Sequence, residues 1–266
     1  MIRLATLILL AWLGMALLPL VVPMTPDRVV LEAMFAPPMQ AGYWLGSDEL
    51  GRSLAQRLFD GAGISLLVAL VSVSVSAVFG TLLGIMAGYL GGWPDRIVSR
   101  LIEVFLAFPG LLLAIALAGM LGPGIGNVIL ALSLMGWVGY ARLARNQVLS
   151  LKQRDHVVAA VALGRRHGEI MRLHLLPLLL APLLVEASFG VAAAVVAEAG
   201  LSFLGLGVQP PQASWGSMIR EGVRYLLVAP HLVLVPGIAL SLVVLSVNLL
   251  GDRLRDRLDV TNRGGA

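Results

Sequence analysis

The sequence predicts an all-α polytopic membrane protein with six transmembrane helices, and three observations carry that prediction. Of the 266 residues, 58% are hydrophobic and only 13% are charged. That is about half the charged share of a soluble domain, and mean hydropathy reaches +0.91. The charge-free runs are long enough to cross a bilayer, and the basic residues fall unevenly between the segments that connect them. There is too little polar surface to cover a water-exposed globule, which argues against a soluble enzyme, a disordered chain and a secreted scaffold. With no cysteine in the chain, disulfides and thiolate metal sites are excluded.

The spans are read in order. Residues 4–22 form the first, 19 residues without a charge. Its apolar run exceeds a signal-peptide core and no A-x-A site follows, so it reads as a retained helix. The uncharged run 61–94 holds one tilted span of about 25 residues. The next uncharged run, 104–141, is too long for one crossing. Turn residues in Gly119-Met-Leu-Gly-Pro-Gly-Ile-Gly126 divide it into spans at roughly 101–121 and 126–143. The fifth covers 178–196, interrupted by Glu186, and the sixth covers 226–250. Residues 200–218 are uncharged but dense in Gly, Pro, Ser and Gln, which suits a structured loop or half-helix at the membrane surface. Residues 48–59 read as a short helix entered through Gly46 and Ser47.

Six spans return both termini to one side. If that side is cytoplasmic, it holds Arg3, Arg96, Arg100, the seven bases from Arg142 to Arg172 and the four from Arg253 to Arg263. The other side holds Arg28, Arg52, Arg57, Arg220 and Arg224. Fourteen against five supports N-in, C-in. The same distribution accounts for the basic balance without nucleic acid.

Several chemistries have no residues to support them. The one lysine, Lys152, follows no glycine-rich run, so a P-loop cannot form. The patterns H-E-x-x-H and G-x-S-x-G are missing. His156, His167 and His174 share a loop but lack i, i+4 spacing, so no metal site is read from them. Glu186 lies about 12 Å into the fifth span at 1.5 Å per residue. An acid at that depth faces either a protein partner or a water-filled path, so it is a candidate path residue. Ser72, Ser74 and Ser76, with Gly80, Gly84 and Gly88 continuing the row, make a small-residue ridge suited to close helix packing.

Several stretches resemble one family. They are Tyr43-Trp-Leu-Gly-Ser-Asp-Glu-Leu-Gly-Arg52 with Arg57; Gly88-Tyr-Leu-Gly-Gly92 to Ala107-Phe-Pro109; the loop from Asp155 to Pro177; Glu198-Ala-Gly-Leu-Ser-Phe-Leu-Gly-Leu-Gly-Val-Gln-Pro-Pro211 with Ser214-Trp-Gly216; and Asn248 to Asp259. They resemble the permease subunits of ABC importers of the dipeptide, oligopeptide and nickel type, specifically the shorter of the two permeases. The resemblance implies the type I ABC importer permease fold and a multi-pass location in the bacterial inner membrane.

The resemblance also implies roles for residues. The loop matches the family's EAA motif through Val158, Ala159, Ala160, Gly164, His174, Leu176 and Pro177, which would form the ATPase-coupling loop. Val158 stands where the family has glutamate, and His174 where it has isoleucine. Gly164 permits a bend between two short helices, and Pro177 is expected to open the fifth span. Glu198, Ser202, Phe203, Leu204, Gly205, Gly207, Trp215 and Gly216 make up the periplasmic loop motif, in which Glu198 is expected to serve packing.

The implied organisation is an N-terminal helix with a periplasmic segment (1–62), a five-helix permease core (63–251) that includes the coupling loop (144–177), and a cytoplasmic tail (252–266). The implied partners are a homologous permease, two ABC ATPase subunits, a periplasmic or lipid-anchored binding protein, and membrane lipid. ATP and Mg belong to the ATPases, and no catalytic residue or cofactor is expected in this chain. Short peptides are the expected cargo, with nickel or a metal chelate as the alternative. A stand-alone secondary transporter or channel would need facing membrane charges and inverted repeats; neither is seen. A loop that merely lies on anionic headgroups is the bland alternative for residues 144–177, and the Gly164-to-Pro177 spacing with the flanking matches argues against it.

Overall fold

In the computed structural model, α1 is Ile2–Val21 and α2 is Leu54–Leu90, followed by α3 (Gly92–Leu106), α4 (Gly110–Leu121) and α5 (Ile125–Leu151). The short α6 is Asp155–Ala162. The long α7 runs His167–Phe203, and α8 (Trp215–Val223) and α9 (His231–Arg263) complete the chain. Residues 2–40 and 42–263 are described, and no strand occurs among them. The last part of the expected tail, 264–266, lies outside the described residues.

Five helices are long and apolar enough to cross a membrane, or six if the α3–α4 pair is one span. Within their apolar windows only 17% to 39% of residues are buried by the protein itself. Apolar surface left outward on that scale is what lipid covers.

Four local features differ from the sequence reading, each for a physical reason. First, α2 is 37 residues long rather than about 25. The expected separate helix at residues 48–59 does not form; Asp48–Ser53 are turn and bridge, and Leu54 opens α2 directly. Second, the third span is broken. Pro109 lacks an N–H and disfavours a helical Phe108, so α3 and α4 meet at 88°. Third, α7 starts at His167, well before Pro177. A wide π turn over Ile170–Leu175 takes up the irregularity just before the proline. Fourth, the last span begins at His231, after a stretch of turns, rather than at residue 226.

Glycine marks the breaks that need a left-handed backbone. Gly91 at φ 65° ends α2, and its N–H reaches the Ala87 carbonyl at 3.0 Å. Between α4 and α5, Gly122 adopts φ 86°. There the Asn127 side chain donates to the carbonyls of Leu121 and Gly122, 3.0 Å each.

The chain packs as two compact units. One comprises Met1–Val71, Ile115–Ala131 and Val191–Leu250; the other comprises Ser72–Ala114, Leu132–Gly190 and Gly251–Ala266. In the first, the fully buried Trp215 is the largest core side chain. Its ring stands 6.3 Å from that of Trp12, and its Nε1 donates to the Leu58 carbonyl at 3.0 Å. In the second, one cluster joins Ile85, Val148, Val157, Ile170, Leu175 and Leu179, bringing α2, α5, α6 and α7 together. Another joins Ala87, Val98, Ile102, Trp137 and Ala141 from α2, α3 and α5.

Candidate functional site

The loop after α5 builds a surface with two opposite faces. Val157 and Ala160, three apart on α6, are buried in the core with Val148 and Leu175. The other side of α6 faces outward and is also apolar. Val158 is 52% exposed, Val161 50% and Leu163 83%, with Ala159 and Ala162 exposed between them. Arg154, Arg165 and Arg166 are exposed at its ends. Gly164 makes the turn that follows, at φ 73° with nothing within 4 Å of a Cβ placed there. The Gly164 N–H reaches the Val161 carbonyl at 2.9 Å and the Arg165 N–H reaches the Ala160 carbonyl at 3.1 Å, so the turn closes on the helix.

Beyond the turn, Tyr89 Oη and His167 Nδ1 share a hydrogen bond at 3.1 Å, tying the end of α2 to the start of α7. His174 and Leu176 are half-buried and Pro177 is exposed. The rings of His174 and His156 lie 6.2 Å apart. Among the described residues, no group of three potential metal ligands gathers anywhere.

The second motif is a polar clamp. Glu198 is 1% exposed. Ser65 Oγ donates to its Oε2 at 3.0 Å and Ser202 Oγ donates to its Oε1 at 2.7 Å. Ser202 Oγ also accepts from the Val208 N–H at 3.2 Å, which folds the Gly205–Gly207 loop back on α7. A Cβ on Gly207 would strike Ser202, and one on Gly216 would strike the Ala199 backbone. Gly205 makes its turn at φ 83°. Ser214 then opens α8 with a capping box shared with Ser217. Of the same motif, Phe203 and Leu204 remain exposed while Trp215 is fully buried. Ser202→Ala removes one hydrogen bond to a buried acid and one to the backbone. It is expected to cost about 1–3 kcal/mol, read as a lowered midpoint of thermal unfolding of the detergent-solubilised protein.

A third cluster was not visible in the sequence. Arg57 is 1% exposed, and its Nη2 donates to Glu221 Oε2 at 2.8 Å. Asp48 Oδ2 lies 3.4 Å from Arg57 Nη1 and 2.7 Å from Arg52 Nε. Asp48 Oδ1 accepts from the backbone N–H groups of Leu50 and Arg52, both at 2.9 Å. Burial pushes the Glu221 carboxyl up, and Arg57 and Arg52 pull it back down. The Asp48–Arg52 spacing was the one local signal. Glu221 lies 164 residues from Arg57 and gives none.

In the second unit, Glu186 is half-buried on α7. Its Oε1 would stand 2.9 Å from a Cβ at Gly139, so the glycine leaves room for the carboxylate. On α3, Arg100 pairs with Glu103 at 2.7 Å in solvent, while Arg145 Nη2 donates to Asp95 at 2.9 Å.

Comparison with known proteins places these features. Residues 80–263 match the family described as binding-protein-dependent transport system inner membrane component. A dipeptide transport system permease protein of Alkalihalophilus pseudofirmus is 42% identical over 219 residues, covering 82% of this chain and 72% of that protein. A glutathione transport system permease protein of Pectobacterium atrosepticum is also 42% identical over 219 residues, 82% of this chain and 73% of that one. A di/tripeptide transport system permease protein of Pseudomonas aeruginosa is 40% identical over 246 residues, 91% of this chain and 81% of that one. The inward-facing structure of the MetNI methionine ABC transporter matches with a TM-score of 0.61 at 20% identity, over 76% of this chain and 95% of that one. That likeness shows a type I importer fold. The chain is therefore a member of the inner-membrane permease family of binding-protein-dependent ABC importers.

Proposed function

We propose that this chain carries short peptides inward and that α6 is the surface through which an ATPase subunit drives it. The exposed apolar face of α6 is the observation that supports this most directly. A helix with a solvated role would expose polar residues there. Here Val158, Val161 and Leu163 are outward while Val157 and Ala160 anchor the helix to the core. The anchoring cluster draws on α2, α5 and α7, so a displacement of α6 passes into three long helices through close-packed side chains. Val158 in place of the motif's glutamate makes this contact an apolar one.

The peptide class rests on relatives named for dipeptides, di/tripeptides and glutathione, itself a tripeptide. The assembly we infer pairs this chain with a homologous permease in the lipid bilayer. Two ATPases holding ATP and Mg dock on the cytoplasmic side, and a periplasmic or lipid-anchored binding protein docks outside. Closure of the ATPases would bias the permease pair toward an outward-open state, and hydrolysis would return it. This chain contributes the path and the coupling, with no covalent step.

The test is Val161→Asp combined with Leu163→Asp in the complete importer. Both side chains are exposed, so folding is retained. ATPase subunits are expected to be lost from the purified complex, with ATP-driven uptake of alanyl-alanine down at least about tenfold, the effect of about 1.4 kcal/mol per decade. Unchanged co-purification and uptake would overturn the docking role.

A further inference from the structure

The inward halves of α5 and α7, with the end of α9, line an open-sided cavity of about 690 Å³. That is within the roughly 300–1,000 Å³ of small-molecule sites. Leu143, Gln147 and Leu151 line it from one face of α5, four residues apart. Val185 and Glu186 line it from α7, Arg154 lines it at the loop end, and Arg255 and Leu258 line it from α9, so Glu186 is the one acid beside two bases. Among the described residues, none of the ion pairs involves Glu186. The chain keeps a half-buried acid, opens a glycine seat for it at Gly139, and turns it to a cavity large enough for a solute. A carboxylate so placed is costly unless a cation or water meets it.

We propose that Glu186 is a cation-binding residue of this cavity and receives the α-ammonium group of a peptide in transit. The assignment rests on the peptide-permease reading above. Arg154 supplies the complementary charge for the peptide's carboxylate. The two do not hold one dipeptide at once. Gly139, against which the Glu186 carboxylate sits, and Leu151, three residues before Arg154, stand about 18 Å apart along α5 at 1.5 Å per residue, whereas an extended dipeptide spans about 7 Å. The charges therefore act in succession, acid first and base nearer the cytoplasmic mouth.

The absence of cysteine from the chain makes a direct test clean. Val185→Cys puts one thiol beside Glu186, and Ala181→Cys is a second position on the same lining. In inside-out membrane vesicles carrying the whole importer, labelling of this chain is followed by mass spectrometry. The probes are a trimethylammonium and a sulfonate methanethiosulfonate, each rate normalised to that with free cysteine. The cation-to-anion preference at Val185→Cys is expected to fall by about tenfold when Glu186→Gln is added, the two arginines then leaving the cavity in favour of the sulfonate reagent. Alanyl-alanine slows the labelling, and N-acetyl-alanyl-alanine does not. Thiols that stay unreactive at both positions, or a preference indifferent to Glu186→Gln, overturn the site. Equal protection by the two peptides, or protection by neither, overturns the α-ammonium assignment. Failure here is separable from failure of the docking role, because the α6 variants are read by ATPase retention and this site by labelling.

Discussion

Gly84→Leu is expected to abolish accumulation of the folded protein, and Gly84→Ala to destabilise it by about 1–3 kcal/mol. Three glycines of α2 meet the backbone of α5 in succession. A Cβ on Gly80 would strike the Trp137 carbonyl and lie 2.9 Å from Tyr140 Cβ. One on Gly84 would strike the Ala141 carbonyl and lie 2.8 Å from Ala144 Cβ. One on Gly88 would lie 2.8 Å from the Arg145 carbonyl. The obstacles at Gly80 and Gly84 are backbone atoms, so no side-chain rotation relieves them. The row continues at Ser76, whose Oγ donates to the Ser133 carbonyl at 3.2 Å. Gly119→Ala in α4 is the control, since nothing lies within 4 Å of a Cβ there. It is expected to be neutral or stabilising by up to about 1 kcal/mol. Thermal unfolding of the solubilised variants decides the matter, and equal midpoints for Gly84→Ala and Gly119→Ala would contradict the ridge.

Arg57→Ala is expected to cost about 3–5 kcal/mol, the penalty for leaving buried charges without their partner. Asp48 and Glu221 both lose a guanidinium within 3.4 Å. The variant also carries a pH signature. Burial already raises the Glu221 carboxyl, and Arg57 is the first of the charges that lower it. Without Arg57 the folded-state value rises further above the unfolded one. A carboxyl of that kind binds more protons folded than unfolded, so stability increases as pH falls through its folded value. The variant is expected to recover part of its lost stability on mild acidification, measured as the unfolding midpoint against pH. A deficit that is flat or deepens with acid would show that Glu221 is not the group left stranded.

The sequence was informative where a structural decision is local. The charge-free run 4–22 matches α1, and the Gly-Pro-Gly run near residue 122 ends α4 where expected. The turn at Gly164 and a short helix before it were legible because glycine permits the bend that divides the loop. What stayed hidden depended on distant partners. Asp60 closes off the uncharged run, so α2 was read too short. Arg57 can sit inside that helix because Glu221, far along the chain, meets it. Pro109 was in view, but a hydropathy count does not register a bend. Pro177 suggested a helix start because a first turn tolerates its missing N–H, whereas the chain widens the preceding turn instead. The clamp of Ser65, Ser202 and Glu198 likewise required residues 133 positions apart to meet.

The bent α3–α4 pair sets the parity of the whole thread. Arg57, at the start of α2, is bonded to Glu221 in α8 at 2.8 Å, so both stand at one bilayer face. Between them the chain runs through α2, α3–α4, α5 and α7. A thread returns to the face it left only after an even number of passages, which requires the bent pair to count as one. At the other end of α2 the same rule is written again. Lys152 Nζ donates to the Gly88 carbonyl at 2.9 Å, and only α3–α4 and α5 lie between. Two ordinary polar contacts thus act as a checksum on sidedness, and they send the first and last helices to the same face however apolar the kink between them looks.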